Sequence, residues 1–426
     1  MRGMWFRGLA GAIIAAACAM AAAAPLEPIW SLAKQERAGT IETLKALVNI
    51  ESGSRDREGL DRISDLIAAR LRELGGAVEL IEPGPDIYRM HDTPDRIGRM
   101  VHARFTGTGT KKVLLIAHMD TVYLKGMLAK QPFRIDGSKA YGLGIADDKN
   151  GIAVILHTLA ILKAANFRDY GLVSVLINGD EEISSPASRA LLTRLGAEHD
   201  AVFSCEGSRV DLDRLSLATS GIAAVSVKVT GRASHAGAAP EFGRNALYEM
   251  AHQVMQMRDL SKPAVGLKMN WTMASAGTNR NVIPAVAEAV ADVRVLRVSD
   301  YDGLEAELRE RVKRQLIPEA KVELTFERRR PPLEFTPASQ ALGRHAQAVY
   351  RELGKELAVV NVAEGGGTDA AFAALKAKGP VIERFGLLGF GAHSNDAEYV
   401  DLDSIEPRLY LLARMIMDVS LGRDAK

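Results

Sequence analysis

The 426-residue sequence contains only two cysteines, Cys18 and Cys205, and only 5% aromatic residues. Two cysteines cannot build a disulfide scaffold, so the fold must depend on packed apolar side chains. Neither sign of charge is in excess, since 54 Lys and Arg face 53 Asp and Glu. This balance argues against a nucleic-acid partner, which would require a basic surface. With 47% hydrophobic and 25% charged residues, the chain is globular rather than disordered, and its length predicts about two domains.

Long apolar runs are missing except near the start. Arg2 and Arg7 precede an alanine-rich apolar run at residues 9–20, and small residues follow at 21–24. This order is typical of a cleaved secretion signal, and the run is too short to span a bilayer. We therefore expect a signal peptide over residues 1–24, a secreted or periplasmic destination, and no membrane partner for the mature protein. A membrane anchor and a lipoprotein signal that uses Cys18 are the alternatives.

The pattern of residues 25–219 predicts alternating helices and strands. Apolar residues recur at helical spacing in four segments, while three other segments are short and continuously apolar, as in strands covered on both faces. The helical segments are residues 31–50, 58–74, 151–165 and 186–195, and the strands are 112–117, 172–177 and 201–205. This alternation predicts an α/β domain with a mostly parallel sheet.

The pattern changes near residue 219 and returns near residue 338. Between these points, alternating strands and amphipathic helices indicate a βαββαβ unit with a one-sided sheet. Its clearest segments are the strands 223–229, 286–298 and 321–326 and the helices 245–260 and 301–316. We predict one α/β domain formed by residues 25–219 and 332–426, split by an inserted α+β domain of residues 220–331.

Acidic and histidine side chains follow the three predicted strands of the first α/β segment. His118 and Asp120 follow the first strand, Glu181 and Glu182 follow the second, and Glu206 follows the third. Because ligands bind beyond the carboxyl ends of strands in an open α/β sheet, these positions are favoured for a site. We expect the five side chains to meet at one edge of the sheet.

Two loops add candidate ligands to this edge. Asp147 follows the glycine-rich segment YGLGIA, and His393 lies in the segment GFGAHS. Carboxylates that are buried together repel each other, and divalent cations offset this repulsion. Two histidines and three carboxylates suit two zinc ions with one bridging carboxylate. The alternative, that the acidic pairs are solvated turn residues, does not explain why both lie near strand ends with histidines.

Six segments occur in an order and at intervals that resemble the M20 metallopeptidases. They are AHMDTVYLKG, AYGLGIADDKNG, NGDEE, GRASHAGAAPE, EGGGTDAA and GFGAHSNDAEYVD. Within that family the chain is most similar to the secreted bacterial glutamate carboxypeptidases, from about residue 41 to the last helix. The resemblance implies a zinc-peptidase-like catalytic domain, split by an inserted dimerisation or lid domain, and two Zn²⁺ per subunit.

The resemblance also implies which residues bind the metals. His118 and Glu206 would bind one zinc, and Glu182 and His393 would bind the other. Asp147 would bridge the two ions.

Three further residues take catalytic roles by the same resemblance. Glu181 would remove a proton from a metal-bridging water, and Asp120 would orient the first histidine ligand. His235 of the inserted domain would reach the active site of the partner in a homodimer and stabilise the oxyanion. The resemblance further implies a cis peptide bond between Asp147 and Asp148.

The residues that select the substrate are implied less closely. Asn281, Arg294 and Arg330 match positions that bind a substrate carboxylate, and Gly366 lies in a loop that supplies backbone donors. Arg330 could instead belong to a solvated basic run. Arg214 stands where close relatives carry lysine, and residues 207–208 also depart from the pattern, which leaves the side-chain preference open.

Together these features predict a secreted di-zinc exopeptidase that acts on a small peptide or an N-acyl amino acid. It would release a C-terminal amino acid, with glutamate of folate-like or N-acyl substrates as one candidate. An M20 amidohydrolase, aminoacylase or dipeptidase with a different amino-acid preference is the alternative. A catalytically inactive binding protein is a third reading, but Glu181 and all five candidate ligands are present.

Overall fold

The computed structural model describes residues 24–394 and 396–424. All but the last residue of the predicted signal peptide lie outside this part of the chain. The helices of the described residues are α1 (Ile29–Gln35), α2 (Arg37–Val48), α3 (Arg57–Glu73), α4 (Asn150–Ala164), α5 (Arg189–Glu198), α6 (Ala246–Gln256), α7 (Val298–Arg311), α8 (Pro337–Arg351), α9 (Ala370–Ala374) and α10 (Ile405–Ser420).

The strands alternate with these helices along much of the chain. They are β1 (Ala77–Ile81), β2 (Met100–Thr106), β3 (Lys112–His118), β4 (Arg134–Asp136), β5 (Lys139–Tyr141), β6 (Leu172–Asn178), β7 (Ala201–Ser204), β8 (Ser208–Arg209), β9 (Arg214–Ser216), β10 (Gly221–Thr230), β11 (Lys268–Ala276), β12 (Val286–Val295), β13 (Lys321–Arg330), β14 (Ala358–Val360), β15 (Val381–Ile382), β16 (Leu388–Phe390) and β17 (Tyr399–Asp401).

Six strands form the main sheet, in the order β1-β2-β6-β3-β7-β15. The pairings β6–β3, β3–β7 and β7–β15 are parallel, while β2 is antiparallel to both of its neighbours. All strands of this sheet except β2 therefore point the same way, which confirms the predicted mostly parallel α/β sheet.

Helices cover both faces of the main sheet, as the continuous apolar strands predict. Leu115 of β3 packs into a core with α4 and α10, while the next residue, Ile116, packs into a second core with α5 and α9. Successive strand side chains point to opposite faces, so a strand between two helical layers must be apolar at every position. Because α4 lies between the sheet and other helices, it is apolar almost all round.

A second sheet has four antiparallel strands in the order β11-β12-β10-β13, all between Gly221 and Arg330. The chain order is βαββαβ, which matches the predicted unit. Helices α6 and α7 cover one face, where Val225 and Val229 of β10 are buried. Tyr248 and Met255 of α6 are 63% and 60% exposed.

Two smaller sheets have no counterpart in the sequence prediction. One joins β4-β5-β17-β16-β8, and the other pairs β14 with β9. Their strands are two or three residues long, so they contain too few positions for an alternating pattern to appear. The predicted helix at residues 31–50 is also divided, because α1 and α2 meet at Glu36. Within the described residues, no helix combines the length and apolarity needed to cross a membrane.

Candidate active site

Three adjacent strands bring candidate ligands to one edge of the main sheet. β3 ends at His118, which pairs in register with Asn178 at the end of β6. Glu181 and Glu182 lie just beyond β6, and Glu206 lies just beyond β7, the other neighbour of β3. The three parallel strands therefore place these groups side by side, as the strand-end rule predicts.

A turn between β5 and α4 supplies Asp147. The turn starts at Gly144, whose positive φ of 73° favours glycine, and the peptide bond between Asp147 and Asp148 is cis, which confirms that prediction. The carboxylate of Glu398 accepts hydrogen bonds from the backbone N–H groups of Gly144, Ala146 and Asp147 at 2.9, 2.7 and 3.2 Å. Glu398 thus holds the turn in place, a role that the sequence prediction missed.

The two oxygens of Asp147 face two separate groups of side chains. Oδ1 lies 3.0 Å from His118 Nε2, and that nitrogen lies 3.6 Å from Glu206 Oε1. Oδ2 lies 3.2 Å from His393 Nε2, which is also 3.2 Å from Glu182 Oε2. Each group offers three ligating atoms within 4.8 Å of one another. The structure therefore brings together all five residues predicted as metal ligands, with Asp147 common to both groups.

The surroundings of His118 indicate which ring nitrogen faces the site. Nδ1 lies 3.1 Å from the carbonyl oxygen of Asp120 and 3.3 Å from its Oδ1, so Nδ1 carries the proton and donates. Burial would lower the pKa of His118, but the charge of Glu206 and hydrogen bonds to Asp120 and Asp147 raise it well above its usual value. A metal ion between Nε2 and these carboxylates would take the place of the second ring proton, and imidazole ligands held by a carboxylate in this way are typical of metal sites.

The carboxyl groups of the site carry a large electrostatic cost. Burial raises the pKa of Glu206 well above its usual value, and repulsion from Asp148 and Asp147 adds to the rise. Burial also raises the pKa of Glu182. Hydrogen bonds to Asp147 and Glu182 raise the pKa of His393 to about 10. Among the described residues, the buried Glu182 Oε1 has no hydrogen-bond partner. Divalent cations fit this set because they would offset the repulsion and bind the unpaired oxygen.

Glu181 lies beside these groups but outside both ligand sets. Its backbone N–H donates to Asp120 Oδ1, and that of Glu182 donates to Asp120 Oδ2, each at 3.0 Å. Arg330 Nη1 lies 2.9 Å from Glu181 Oε1 and 3.0 Å from Asp369 Oδ1. Arg330 is only 3% exposed, which excludes the reading of a solvated basic run. Its terminal nitrogens are engaged by protein groups rather than open to a substrate carboxylate.

The four-stranded sheet places Arg294 and Arg330 in one row. Both are register partners of Ile222, on β12 and β13 respectively. The guanidinium of Arg294 pairs with both carboxylate oxygens of Asp292 at 2.9 Å, and its Nη1 donates to the carbonyl oxygen of Gly365 at 2.9 Å. Arg294 therefore contacts the glycine loop that contains Gly366.

His235 and Asn281 lie next to each other in the four-stranded sheet unit, away from the ligand groups. The carbonyl oxygen of Asn281 accepts the N–H of Ala236 at 2.9 Å. His235 is exposed, and its Nδ1 accepts the backbone N–H groups of Gly237 and Ala238 at 3.1 and 3.0 Å. Nε2 then carries the proton, so His235 presents a donor to its surroundings. Within the described chain, no hydrogen bond or ion pair joins His235 to the ligand groups.

A cleft of about 490 Å³ opens over the ligand groups. Its lining combines candidate ligands with arginines, and includes Asp147, Glu181, Glu182, Glu206, His393, Gly366, Thr368, Phe390, Arg209, Arg214 and Arg384. The cleft is therefore polar and charged. Arg384 was not among the predicted site residues, because a single arginine at the end of a short strand has no distinctive pattern.

The α/β sheet, with two ligand groups that share one carboxylate at the strand ends, defines a metal-dependent hydrolase. The sequence pattern of peptidase family M20/M25/M40 matches residues 114–418. The chain therefore belongs to peptidase family M20 and is an enzyme of its metallocarboxypeptidase type.

Two sequence relatives support membership of the family, and one solved structure supports the fold. The chain is 46% identical over 395 residues to carboxypeptidase G2 of Pseudomonas sp. (strain RS-16), covering 93% of this chain and 92% of that protein. It is 28% identical over 404 residues to acetylornithine deacetylase of Klebsiella pneumoniae (strain 342), covering 88% and 96%. The solved structure of a M20 family metallo-carboxypeptidase from Sulfolobus solfataricus has a TM-score of 0.71 at 15% identity, covering 91% of this chain and 98% of that chain.

Proposed function

We propose that the chain is a secreted exopeptidase that uses two zinc ions to hydrolyse the amide bond to a C-terminal amino acid. The observation that carries this proposal is the position of Asp147, whose two oxygens face two different ligand groups. Secretion rests on Arg2 and Arg7 ahead of the apolar run at residues 9–20.

In this proposal His118 and Glu206 bind one ion, Glu182 and His393 bind the other, and Asp147 bridges them. Zinc, when bound, polarises the amide carbonyl and lowers the pKa of a water molecule towards about 7. The five ligands together supply the nitrogen and oxygen donors that zinc prefers.

Glu181 is the general base and accepts a proton from the attacking water. It borders the cleft next to Glu182, yet it belongs to neither ligand group. Arg330 is a positioning residue for Glu181 rather than a direct binder of the substrate, because its donors contact Glu181 and Asp369. Asp120 orients both His118 and the backbone of residues 181–182.

The substrate lies in the cleft against Gly366 and Gly367, and Arg294 donates to the carbonyl oxygen of the adjoining Gly365. We assign Asn281 and His235 to the neighbouring active site of a homodimer formed through the domain of residues 220–331. In such a dimer, the exposed Nε2–H of His235 would donate a hydrogen bond to the oxyanion that forms in the active site of the partner subunit.

Carboxypeptidase G2, at 46% identity, supports release of a C-terminal amino acid, with glutamate as the first candidate. The similarity to acetylornithine deacetylase favours a second candidate, an amidohydrolase that removes a small acyl group. Both reactions hydrolyse an amide bond. They are distinguished by the size of the acyl group that the enzyme prefers, which is large for the exopeptidase and small for the deacetylase.

The test is product identification by mass spectrometry after incubating the zinc-loaded protein with N-acyl amino acids, dipeptides and folate analogues. We expect a free C-terminal amino acid from substrates with large acyl groups. The Glu181→Gln protein is the matched control, since it preserves size and removes the base. Release of acetate from N-acetyl substrates alone would select the deacetylase reading, and no cleavage of any amide would contradict both.

A further inference from the structure

Three arginines line the cleft, and two of them are paired with carboxylates. Arg209 pairs with Asp211 at 2.6 and 2.8 Å, and Arg214 pairs with both oxygens of Glu364 at 2.6 Å. Within the described part of the chain, no carboxylate oxygen lies within 4.0 Å of the guanidinium of Arg384. Arg384 is therefore the arginine of this lining that has no ion-pair partner among the described residues.

Charges in the neighbourhood do not neutralise Arg384 either. A hydrogen bond from Arg214 is the main cause of the lowered pKa of Glu364, and Arg209 and Arg384 contribute less. Glu364 is thus committed to Arg214. Burial raises the pKa of the adjoining Glu383, the charge of Arg384 opposes this rise only in part, and no oxygen of Glu383 lies within 4.0 Å of the guanidinium of Arg384.

The backbone and side chain of Arg384 are both held in place. Its φ of 76° lies in the left-handed region that few non-glycine residues adopt, and Arg408 donates to its carbonyl oxygen at 2.7 Å. Nη1 of Arg384 donates to the carbonyl oxygen of Gly207 at 2.7 Å, one residue after Glu206. Among the described residues, Gly207 accepts one of the five N–H groups of this guanidinium. The other N–H groups have no acceptor there, so Arg384 can still offer a pair of donors to a group in the cleft.

We propose that Arg384 is the residue that selects an acidic side chain on the amino acid to be released. This inference rests on the proposed exopeptidase function and adds its specificity determinant. A carboxylate at the end of the side chain would pair with the fork of Arg384 while the scissile amide lies at the ligand groups that line the same cleft. Arg214 cannot serve equally, because Glu364 already occupies its fork.

The test compares N-benzoylglutamate with N-benzoylglutamine, whose side chains have nearly the same size and end in a carboxylate and an uncharged carboxamide respectively. For the zinc-loaded wild type we expect kcat/KM to favour glutamate by roughly 10- to 100-fold, the effect of one charge-assisted hydrogen-bond pair. Arg384→Met should bring the ratio close to one mainly by lowering the glutamate value. Arg384→Lys should recover part of the preference, because it keeps the charge and loses the fork.

The control is Arg209→Met, which removes an arginine of the same cleft that is already paired, and should leave the ratio within about twofold. Calorimetry of the two compounds with the zinc-loaded Glu181→Gln protein, with and without Arg384→Met, measures the same preference without turnover. An unchanged ratio in Arg384→Met overturns the proposal. An equal fall for both substrates also overturns it, because Arg384 would then bind the carboxylate that both share. If the wild type cleaves neither these compounds nor any other acyl amino acid, the proposed function fails, and this inference fails with it.

Discussion

Arg330 holds Glu181 at two points: its Nη1 lies 2.9 Å from Glu181 Oε1, and its Nη2 donates to the carbonyl oxygen of Glu181 at 2.6 Å. The same guanidinium binds Asp369, which in turn accepts hydrogen bonds from Asn178 and Ser185. Burial raises the pKa of Glu181, and the charge of Arg330 opposes that rise. The arginine therefore fixes the position of the proposed base and favours its charged form.

Removing Arg330 should be costly. Arg330→Met leaves the carboxylates of Glu181 and Asp369 buried without their cation, so we expect the free energy of unfolding to fall by about 3–5 kcal/mol. Urea unfolding of the metal-loaded protein measures this. The control is Arg328→Met, which is 40% exposed and whose partners Asp302 and Glu305 are 72% and 22% exposed, with an expected loss of about 1 kcal/mol or less. Equal losses in the two variants would contradict the special position of Arg330.

Neighbouring glutamates should respond differently to the same substitution. Glu181→Gln should keep its metal and its fold, while turnover falls by about 10²–10⁴-fold because a general base is lost. Glu182→Gln should lose metal, since Glu182 belongs to a ligand group and Glu181 does not. Metal analysis and steady-state kinetics on both proteins check this pair. Full activity in Glu181→Gln would assign the base to another residue.

Local patterns in the sequence predict part of this site and omit another part for a physical reason. His118 and Glu206 end or follow apolar strands, and the edge rule for parallel sheets then brings them together. Glu398 is different, because it contacts Ala146 across 252 residues of chain and lies in a short strand–loop segment without periodicity. Such contacts follow from the folded arrangement of loops, which no local pattern encodes.

The same distinction applies to the arginines. The alternation of residues 321–326 predicts a strand, which the structure extends to Arg330 as β13. The partners of Arg330 lie on loops after β6 and β14. The sequence therefore predicts an arginine near the site, whereas its contacts with Glu181 and Asp369 emerge only from the fold. Arg384 has an equally ordinary sequence context, and its significance comes from the carboxylates that its neighbours already use.

Asp418 of α10 should make stability depend on pH. Burial alone would raise its pKa, but His345 and Arg414 outweigh burial and lower it. A lowered carboxyl pKa stabilises the fold at pH values above the unfolded pKa of about 3.9, and this contribution is lost as pH falls through the lower folded value. We expect Asp418→Asn to cost about 1–3 kcal/mol at pH 7 and progressively less below pH ~4.

The measurement for Asp418 is urea unfolding of chelator-treated wild type and variant at matched pH values. Chelation removes the separate pH dependence of metal binding. Asp403→Asn is the control, because Asp403 is 70% exposed at its ion pair with Arg37 and should contribute about 0.5 kcal/mol or less. A difference between wild type and Asp418→Asn that stays constant down to pH 3 would contradict this prediction.

Metal content should follow the two ligand groups. We expect about two zinc ions per wild-type chain and the loss of both in Asp147→Ala, because Asp147 belongs to each group. His118→Ala and His393→Ala should each weaken mainly one ion. His252→Ala is the control, since its Nε2 lies 3.0 Å from the carbonyl oxygen of Arg314, in the four-stranded sheet unit. A wild type that retains one ion after gel filtration, by elemental analysis, would contradict the paired site.

Complementation between two inactive proteins tests whether His235 acts across a dimer. His235 is exposed in its own chain, and its Nδ1 already accepts two backbone N–H groups, so its Nε2–H is free to donate to an acceptor on a second chain. Exposed apolar residues Tyr248 and Met255 on α6 give the four-stranded sheet unit a surface that a second copy could cover.

We expect the His235→Ala and Glu181→Gln proteins to be nearly inactive alone and to regain activity when their subunits exchange. In a hybrid dimer, the His235→Ala chain keeps an intact Glu181 and receives His235 from its partner, so one of the two sites works. Equal mixing makes about half of the dimers hybrids, which gives roughly a quarter of wild-type activity. The control is a mixture of the Glu181→Gln protein with the metal-deficient Asp147→Ala protein. Each active site takes both Glu181 and Asp147 from the same chain, so each site of a hybrid dimer carries one of the two substitutions and stays inactive. If verified subunit exchange restores no activity, His235 does not act on the partner's substrate.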